Sequence, residues 1–195
     1  MTVRHLGCAL LAGLACGAAR AHELHGAGTG LAAGLLHPVT GLDHVLAMVA
    51  VGLWGAVLGP PAIWVLPIAF PVAMAFGALL GMAGMPLPGV EIGIAISALV
   101  LGLLVTSRRR LPLPLALALV AAFAVCHGHA HGRELPAGGD ALLYSLGFVI
   151  ATGSLHAAGI ALGALDRWPA GRVVVRLAGL GVASGGLWFL WQALR

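Results

Sequence analysis

Charge is scarce in this chain of 195 residues, since only 8% of the residues are charged while 61% are hydrophobic. So few charges cannot cover the surface of a water-soluble globule, and most of the chain is therefore expected to lie in lipid. Lysine is absent, and the ten basic residues are all arginines in or beside short breaks between apolar runs. This placement is typical of membrane topology and argues against a protein that binds nucleic acid.

Cysteine is also rare, and nucleotide-binding motifs are missing. Of three cysteines, Cys8 and Cys16 fall in a segment that we expect to be removed, so Cys126 has no partner for a structural disulfide. Neither a Walker A motif nor a dinucleotide fingerprint occurs. Energy from ATP would have to come from another chain.

The N-terminal segment, residues 1–21, has the pattern of a cleavable signal peptide. Arg4 precedes a short apolar run, and Ala19 and Ala21 provide an A-x-A cleavage site. The apolar run is shorter than the roughly 20 residues that a spanning helix needs, although an uncleaved anchor remains an alternative.

Cleavage after Ala21 would leave residues 22–30 as a short periplasmic tail. His22 would then be the first mature residue, and its free amine beside the imidazole could chelate a divalent metal, with Glu23 and His25 close by. The alternative is a disordered polar tail without a binding role.

Six apolar stretches follow, and each is long enough to cross a membrane. Glycine and proline mark the breaks between them, and no long linker separates a second domain. We therefore predict an all-α membrane protein in which residues 31–195 form a six-helix transmembrane bundle. The stretches are residues 31–58, 62–82, 89–106, 112–131, 141–165 and 172–193.

The arginines predict the orientation of this bundle. If the signal peptide leaves the mature N-terminus outside, six arginines face the cytoplasm and two face outward, as the positive-inside rule requires. We expect a multi-pass protein of the bacterial inner membrane with both mature termini in the periplasm. The inner arginines would be Arg108, Arg109, Arg110, Arg167, Arg172 and Arg176, and the outer ones Arg133 and Arg195.

Ionisable residues inside membrane spans are rare and usually mark a path or a site. Without the octet from His37 to His44, the first stretch keeps only 14 apolar residues, so this motif must reach membrane depth. The predicted topology brings it to the same depth as the start of the third stretch and the end of the fourth. The candidate metal ligands are His37, Asp43, His44, Glu91, His127, His129, His131, Glu134 and His156, in addition to His22.

Helical spacing indicates which histidines can share an ion. His127 and His131 lie on one face about 6 Å apart in rise, which is a common chelating spacing, whereas His129 points away toward another helix or a second site. His37 and His44 would be about 10 Å apart in a regular helix, too far for one ion. Either they are successive stations, or Pro38 and Gly41 break the helix.

Several of these residues also have a purely structural interpretation. His156 could be a hydrogen-bonding residue between helices, and Glu91 could favour a helix N-terminus. Asp43 could bind metal or orient His44, and Met48 could provide a thioether or only pack. The histidines taken together favour a metal role, because a structural account of so many imidazoles in lipid is hard to sustain.

Imidazole with some carboxylate selects nickel, cobalt, zinc or copper over calcium and magnesium. Transport requires sites that release their ion, so two- or three-ligand stations fit a carrier better than a closed cage. We therefore expect a transported metal and no permanently bound cofactor.

The two histidine motifs resemble those of the HupE/UreJ family of nickel permeases. The resemblance covers H-P-x-x-G-x-D-H from His37 to His44, Glu91, and H-G-x-A-H-G-x-E from His127 to Glu134. It implies a permease, not an enzyme, that admits Ni(II), with Co(II) as an occasional substrate, for hydrogenase or urease maturation. The family usually has an aromatic residue where this chain has Cys126, which could add a ligand or alter selectivity.

Two other classes compete with a permease. An intramembrane enzyme or metal sensor would hold a permanently bound ion, with Glu134 or Glu91 as a general base in the enzyme. A haem protein with paired axial histidines is disfavoured by three histidines within five residues. The expected partners are the lipid bilayer and the divalent metal, with homo-oligomerisation left open.

Overall fold

A computed structural model describes residues 30–134 and 141–195 of the chain. These residues form seven α-helices and one 3-10 turn, and the described part contains no strand. The helices are α1 (Leu31–Thr40), α2 (Leu42–Leu58), α3 (Ala62–Met82), α4 (Val90–Ser107), α5 (Leu113–Glu134), α6 (Ala141–Gly163) and α7 (Pro169–Ala193), with the 3-10 turn at Ala164–Arg167 between the last two. The predicted all-α class is confirmed.

Five described helices, α3 to α7, are long and apolar enough to cross a membrane. Their exposed side chains are largely apolar, as on α3, where Trp64, Ile68, Val72 and Phe76 recur on one outward face. Such a stripe would be unfavourable in water and is suited to lipid. The described chain is therefore that of a multi-pass membrane protein.

The first predicted span is not one continuous helix. Helices α1 and α2 meet at an angle of 84°, so the described helices give five spans, or six if this bent pair counts as one. The backbone of Gly41 is extended at the junction, and Pro38 lies three residues before it. The extended backbone of Gly41 ends α1, and Pro38 weakens the last turns of that helix because it removes one helical hydrogen bond. Of the two alternatives for His37 and His44, the structure shows the broken helix.

Helix α2 lies at the centre of the bundle and contacts α3, α4, α6 and α7. Its segment from Ala47 to Gly55 is almost wholly buried. Glycines allow the backbones to approach closely: a Cβ on Gly159 of α6 would meet the carbonyl oxygen of Val49, and one on Gly128 of α5 would meet that of Met74. The middle of α2 is thereby packed closely against α6, and α5 against α3.

The two ends of the bundle differ in chemistry. One end contains the Arg108–Asp166 ion pair (2.6 Å) and the indole N–H of Trp54, which donates to the carbonyl of Arg109. The opposite end joins the start of α4 to the last turns of α5 and α7 in one pocket. The six arginines predicted to be cytoplasmic lie on the elements at the first end, and Arg133 lies in the pocket at the other.

Several predictions fall on residues that lie outside the described part of the chain. These are the signal peptide at residues 1–21, almost all of the tail at 22–30 including His22, and the break at 135–140.

Candidate metal centre

Asp43 and His44 begin the central helix. Because α2 starts directly after the bend at Gly41, both side chains lie in its first turn. Nδ1 of His44 is 3.0 Å from Oδ1 of Asp43, and the His44 side chain is only 12% exposed. The negative carboxylate is also favourable at a helix N-terminus.

Helix α5 brings its own histidines to this point. His127 is fully buried and His131 is 8% exposed, as expected for two residues on the same helical face. His129 points elsewhere, and its Nε2 donates to the carbonyl oxygen of Met85, 2.7 Å away. The predicted division of these three histidines between two faces is the one that the structure has.

The imidazole rings of four histidines from three helices form a continuous cluster. The ring centroid of His44 lies 4.9 Å from that of His127 and 4.3 Å from that of His131. His131 in turn lies 4.8 Å from His37, and its Nδ1 is 2.8 Å from Nε2 of His37. The bend at Gly41 makes this cluster possible, because it brings His37 alongside the residues that follow the bend.

Three ring nitrogens in this cluster are buried without a hydrogen-bond partner in the described part of the chain. They are Nε2 of His44, Nδ1 of His127 and Nε2 of His131. A buried polar atom left unpaired typically costs about 1–3 kcal/mol, so three such atoms in adjacent rings require an explanation. Imidazole nitrogens are donors that a borderline divalent metal prefers, and a bound ion would give such atoms a partner.

The outer side of the cluster includes a carboxylate. His37, His131 and Glu134 each offer a ligand atom, and these three atoms lie within 4.8 Å of one another. Glu134 is exposed and His37 is half-buried, whereas His131 is buried. This arrangement would allow an ion to bind first at the exposed Glu134 and then at the more deeply buried His131.

Glu91 and His129 lie beside this cluster, in a separate pocket of about 530 Å³. Arg133 and Glu134 contribute to its lining, and Glu91 is exposed. The sequence placed Glu91 at the same depth as the histidines, and the structure puts it at the same end of the bundle. It lines this adjoining vestibule, whereas the ring contacts of the cluster are made by His37, His44, His127 and His131.

His156 lies further along α6 and is only 2% exposed. Its Nδ1 donates to the carbonyl oxygen of Met48 (2.8 Å), and its Nε2 has no partner among the described residues. The ring of Phe70 lies 5.5 Å from that of His156 and 5.7 Å from that of His127, so it contacts both. Met48 itself is fully buried.

Two neighbours of the histidines were not identified from the sequence. Phe70 is one of many apolar residues in α3, and nothing in its spacing distinguishes it. Ser97 is buried in α4, and its Oγ lies 3.0 Å from Nε2 of His127. A hydroxyl in the apolar run from Ile92 to Val105 was a weak sign, since serine often bonds only to its own helix.

Comparisons with known proteins point to the same family as the two histidine motifs. The family described as HupE / UreJ protein matches residues 9–189. A relative named Protein HupE, from Rhizobium leguminosarum bv. viciae, is 49% identical over 169 residues, which cover 86% of this chain and 87% of that protein. No solved structure matches significantly.

Proposed function

Because the chain belongs to the HupE/UreJ family, we propose that it carries a divalent transition metal, most readily Ni(II) and also Co(II), across the bacterial inner membrane. The family comprises accessory and permease proteins, so the chain is not an enzyme. Hydrogenase or urease maturation is the proposed use of the metal. The metal is the substrate and exchanges freely, with no resident ion.

The observation that supports this proposal best is the set of buried nitrogens on His44, His127 and His131 that have no hydrogen-bond partner among the described residues. Asp43 accepts a hydrogen bond from Nδ1 of His44, which leaves the lone pair of that histidine on Nε2. A carboxylate behind an imidazole is a frequent arrangement in metal sites, because it orients the ring and raises its basicity. In this proposal Asp43 orients His44 and is not required to bind the ion.

The burial of the donors supports a path as well as a site. Exposure falls from Glu134 through His37 to His131 and is zero at His127. Beyond His127 lies Phe70, and beyond Phe70 lies Nε2 of His156, for which the described part of the chain provides no hydrogen-bond partner. We propose that the ion moves inward along this series by ligand exchange, because sites with few ligands allow release.

The arginine distribution supports an orientation for the path. The cluster and its vestibule lie at the end of the bundle opposite the Arg108–Asp166 pair. If the arginine-rich end faces the cytoplasm, the cluster opens to the periplasm and the C-terminus lies outside. Metal captured at Glu134 would then move toward the cytoplasm. His22, at the start of the proposed mature chain, would assist capture.

The proposal is tested by the uptake of radioactive nickel into cells that express the wild type, His44→Ala or His127→Ala at equal membrane levels. We expect uptake to fall to the empty-vector level in both variants, because each loses a buried ring nitrogen of the proposed site. Ser154→Ala is the matched control, since the exposed Ser154 hydroxyl donates to the carbonyl of Ile150 in its own helix. It should transport normally.

Uptake by the wild type no greater than by empty vector would refute transport. If the purified protein then retained one tightly bound ion, the alternative of a sensor with a permanently bound metal would replace the proposal. Normal uptake by both histidine variants would remove the cluster from the path even if transport itself were confirmed.

A further inference from the structure

Ser97 occupies a position next to the buried end of the histidine cluster. It lies in the middle of α4 and is fully buried, as is His127 on the neighbouring helix α5. Its hydroxyl makes two contacts, one to the carbonyl oxygen of Ile94 at 2.6 Å and one to Nε2 of His127 at 3.0 Å. The chemistry of these two contacts determines where the proton of His127 lies.

A serine hydroxyl has one proton to donate and lone pairs to accept with. The carbonyl of Ile94 can only accept, so the Ser97 proton points to it. Toward His127 the Ser97 oxygen must then be the acceptor, and Nε2 of His127 must be the donor. A neutral imidazole has a proton on only one nitrogen, so Nδ1 of His127 carries the lone pair. This Nδ1 is the buried atom that has no partner among the described residues.

We infer that Ser97 is a positioning residue that holds His127 in the Nε2-protonated form and thereby presents Nδ1 to the metal. The inference rests on the proposed function, because it assigns a role to Ser97 within the same metal site. Ser97 itself does not bind the ion. It acts on His127 as Asp43 acts on His44, so two imidazoles whose ring centroids lie 4.9 Å apart are each oriented by a hydrogen-bond partner.

Loss of the Ser97 acceptor has a specific consequence. Nε2–H of His127 would be buried without a partner, which is unfavourable. With no acceptor beside Nε2, the proton of His127 would no longer be held there and would shift toward Nδ1. Nδ1 would then lack the lone pair that the metal needs, and the metal would have to displace that proton.

The experiment uses the purified full chain in detergent, with Co(II) as the probe because its visible spectrum reports ligand number. Ser97→Ala removes the acceptor with little change in volume. We expect its Co(II) affinity to fall about 10- to 100-fold, the usual cost of losing an orienting partner. Ser107→Ala is the matched control in the same helix, since the Ser107 hydroxyl donates to carbonyls of its own helix. Its Co(II) affinity should be unchanged.

A second measurement separates positioning from a structural role. Nitrogen NMR of the metal-free protein labelled at histidine distinguishes Nδ1–H from Nε2–H, and the His127 signals are assigned by their loss in His127→Gln. We expect Nε2–H in the wild type and a shift toward Nδ1–H in Ser97→Ala. A mere packing defect would lower affinity without moving this proton.

Three results would overturn the inference: unchanged Co(II) affinity in Ser97→Ala, reduced affinity with the His127 proton still on Nε2, or a wild-type proton on Nδ1. Failure of the proposed function looks different. If the wild type bound no Co(II), the metal site would be refuted, while the proton position would still test the effect of Ser97 on His127.

Discussion

His37 and His131 share a hydrogen bond of 2.8 Å between Nε2 and Nδ1, which joins the short helix α1 to the last turns of α5. In an unbroken first helix, His37 would lie a full turn or more away from His44 along the helix axis. The bend of 84° instead brings His37 into contact with His131. The outer part of the candidate metal path therefore depends on the break at Gly41.

This contact predicts that the effects of mutating His37 and His131 on Ni(II) binding are not additive. His37→Ala and His131→Ala should each weaken Ni(II) binding, measured by calorimetry on purified protein. The double variant should lose little more than the worse single variant, because residues in one network do not contribute independently. His37→Gln separates two roles, since its amide can bond to His131 but is a poor ligand for nickel. Fully additive losses would show that the two histidines belong to separate sites.

Uptake should decline in acid. A protonated imidazole has no lone pair for the metal, so nickel uptake is expected to fall when external acid protonates the histidines of the path. The measurement is the initial rate of uptake between pH 8 and 4 at constant free nickel and constant membrane potential. A flat profile down to pH 4 would count against histidine coordination at the rate-limiting station.

A mutation at His156 should affect the rate of nickel transport without affecting nickel binding at the outer cluster. His156→Gln can keep a hydrogen bond to the carbonyl of Met48, yet it removes the buried Nε2 beyond Phe70. We expect nickel binding at the outer cluster to be retained while the maximal rate of uptake falls severalfold. Uptake kinetics across nickel concentrations, with binding measured on the same variant, would test this. A loss of binding equal to that of His44→Ala would place His156 in the first site.

The close packing of α2 and α6 predicts a stability difference between two glycines of the same helix. An alanine Cβ at Gly159 would collide with the carbonyl of Val49, whereas at Gly153 it would meet nothing within 4 Å. Gly159→Ala should destabilise the protein by about 1–3 kcal/mol, as overpacked interiors do. Gly153→Ala should be neutral or slightly stabilising, because alanine is the better helix former. Thermal unfolding in detergent is the measurement, and equal effects would contradict the packing.

Much of the fold could be predicted from the sequence, because lipid restricts the choices. A chain this apolar must satisfy its backbone hydrogen bonds within helices. The third helix, Ala62–Met82, begins and ends at the predicted residues. The position of His127 and His131 on one face of α5 also followed from the regular spacing of a helix. The shape of the first span could not be predicted in the same way, because proline and glycine permit a break in a helix without fixing its angle.

The sequence alone determined the class of this protein, the family to which it belongs and the residues that could bind a metal, because composition, helical spacing and motif order are local properties of the chain. Only the tertiary structure decided that His44 faces His127 and His131, that His129 turns to Met85, and that Ser97 and Phe70 adjoin the cluster. These relations arise where glycines let helices approach closely and a bend changes the direction of the chain. They join residues far apart in sequence, and no local pattern encodes such distances.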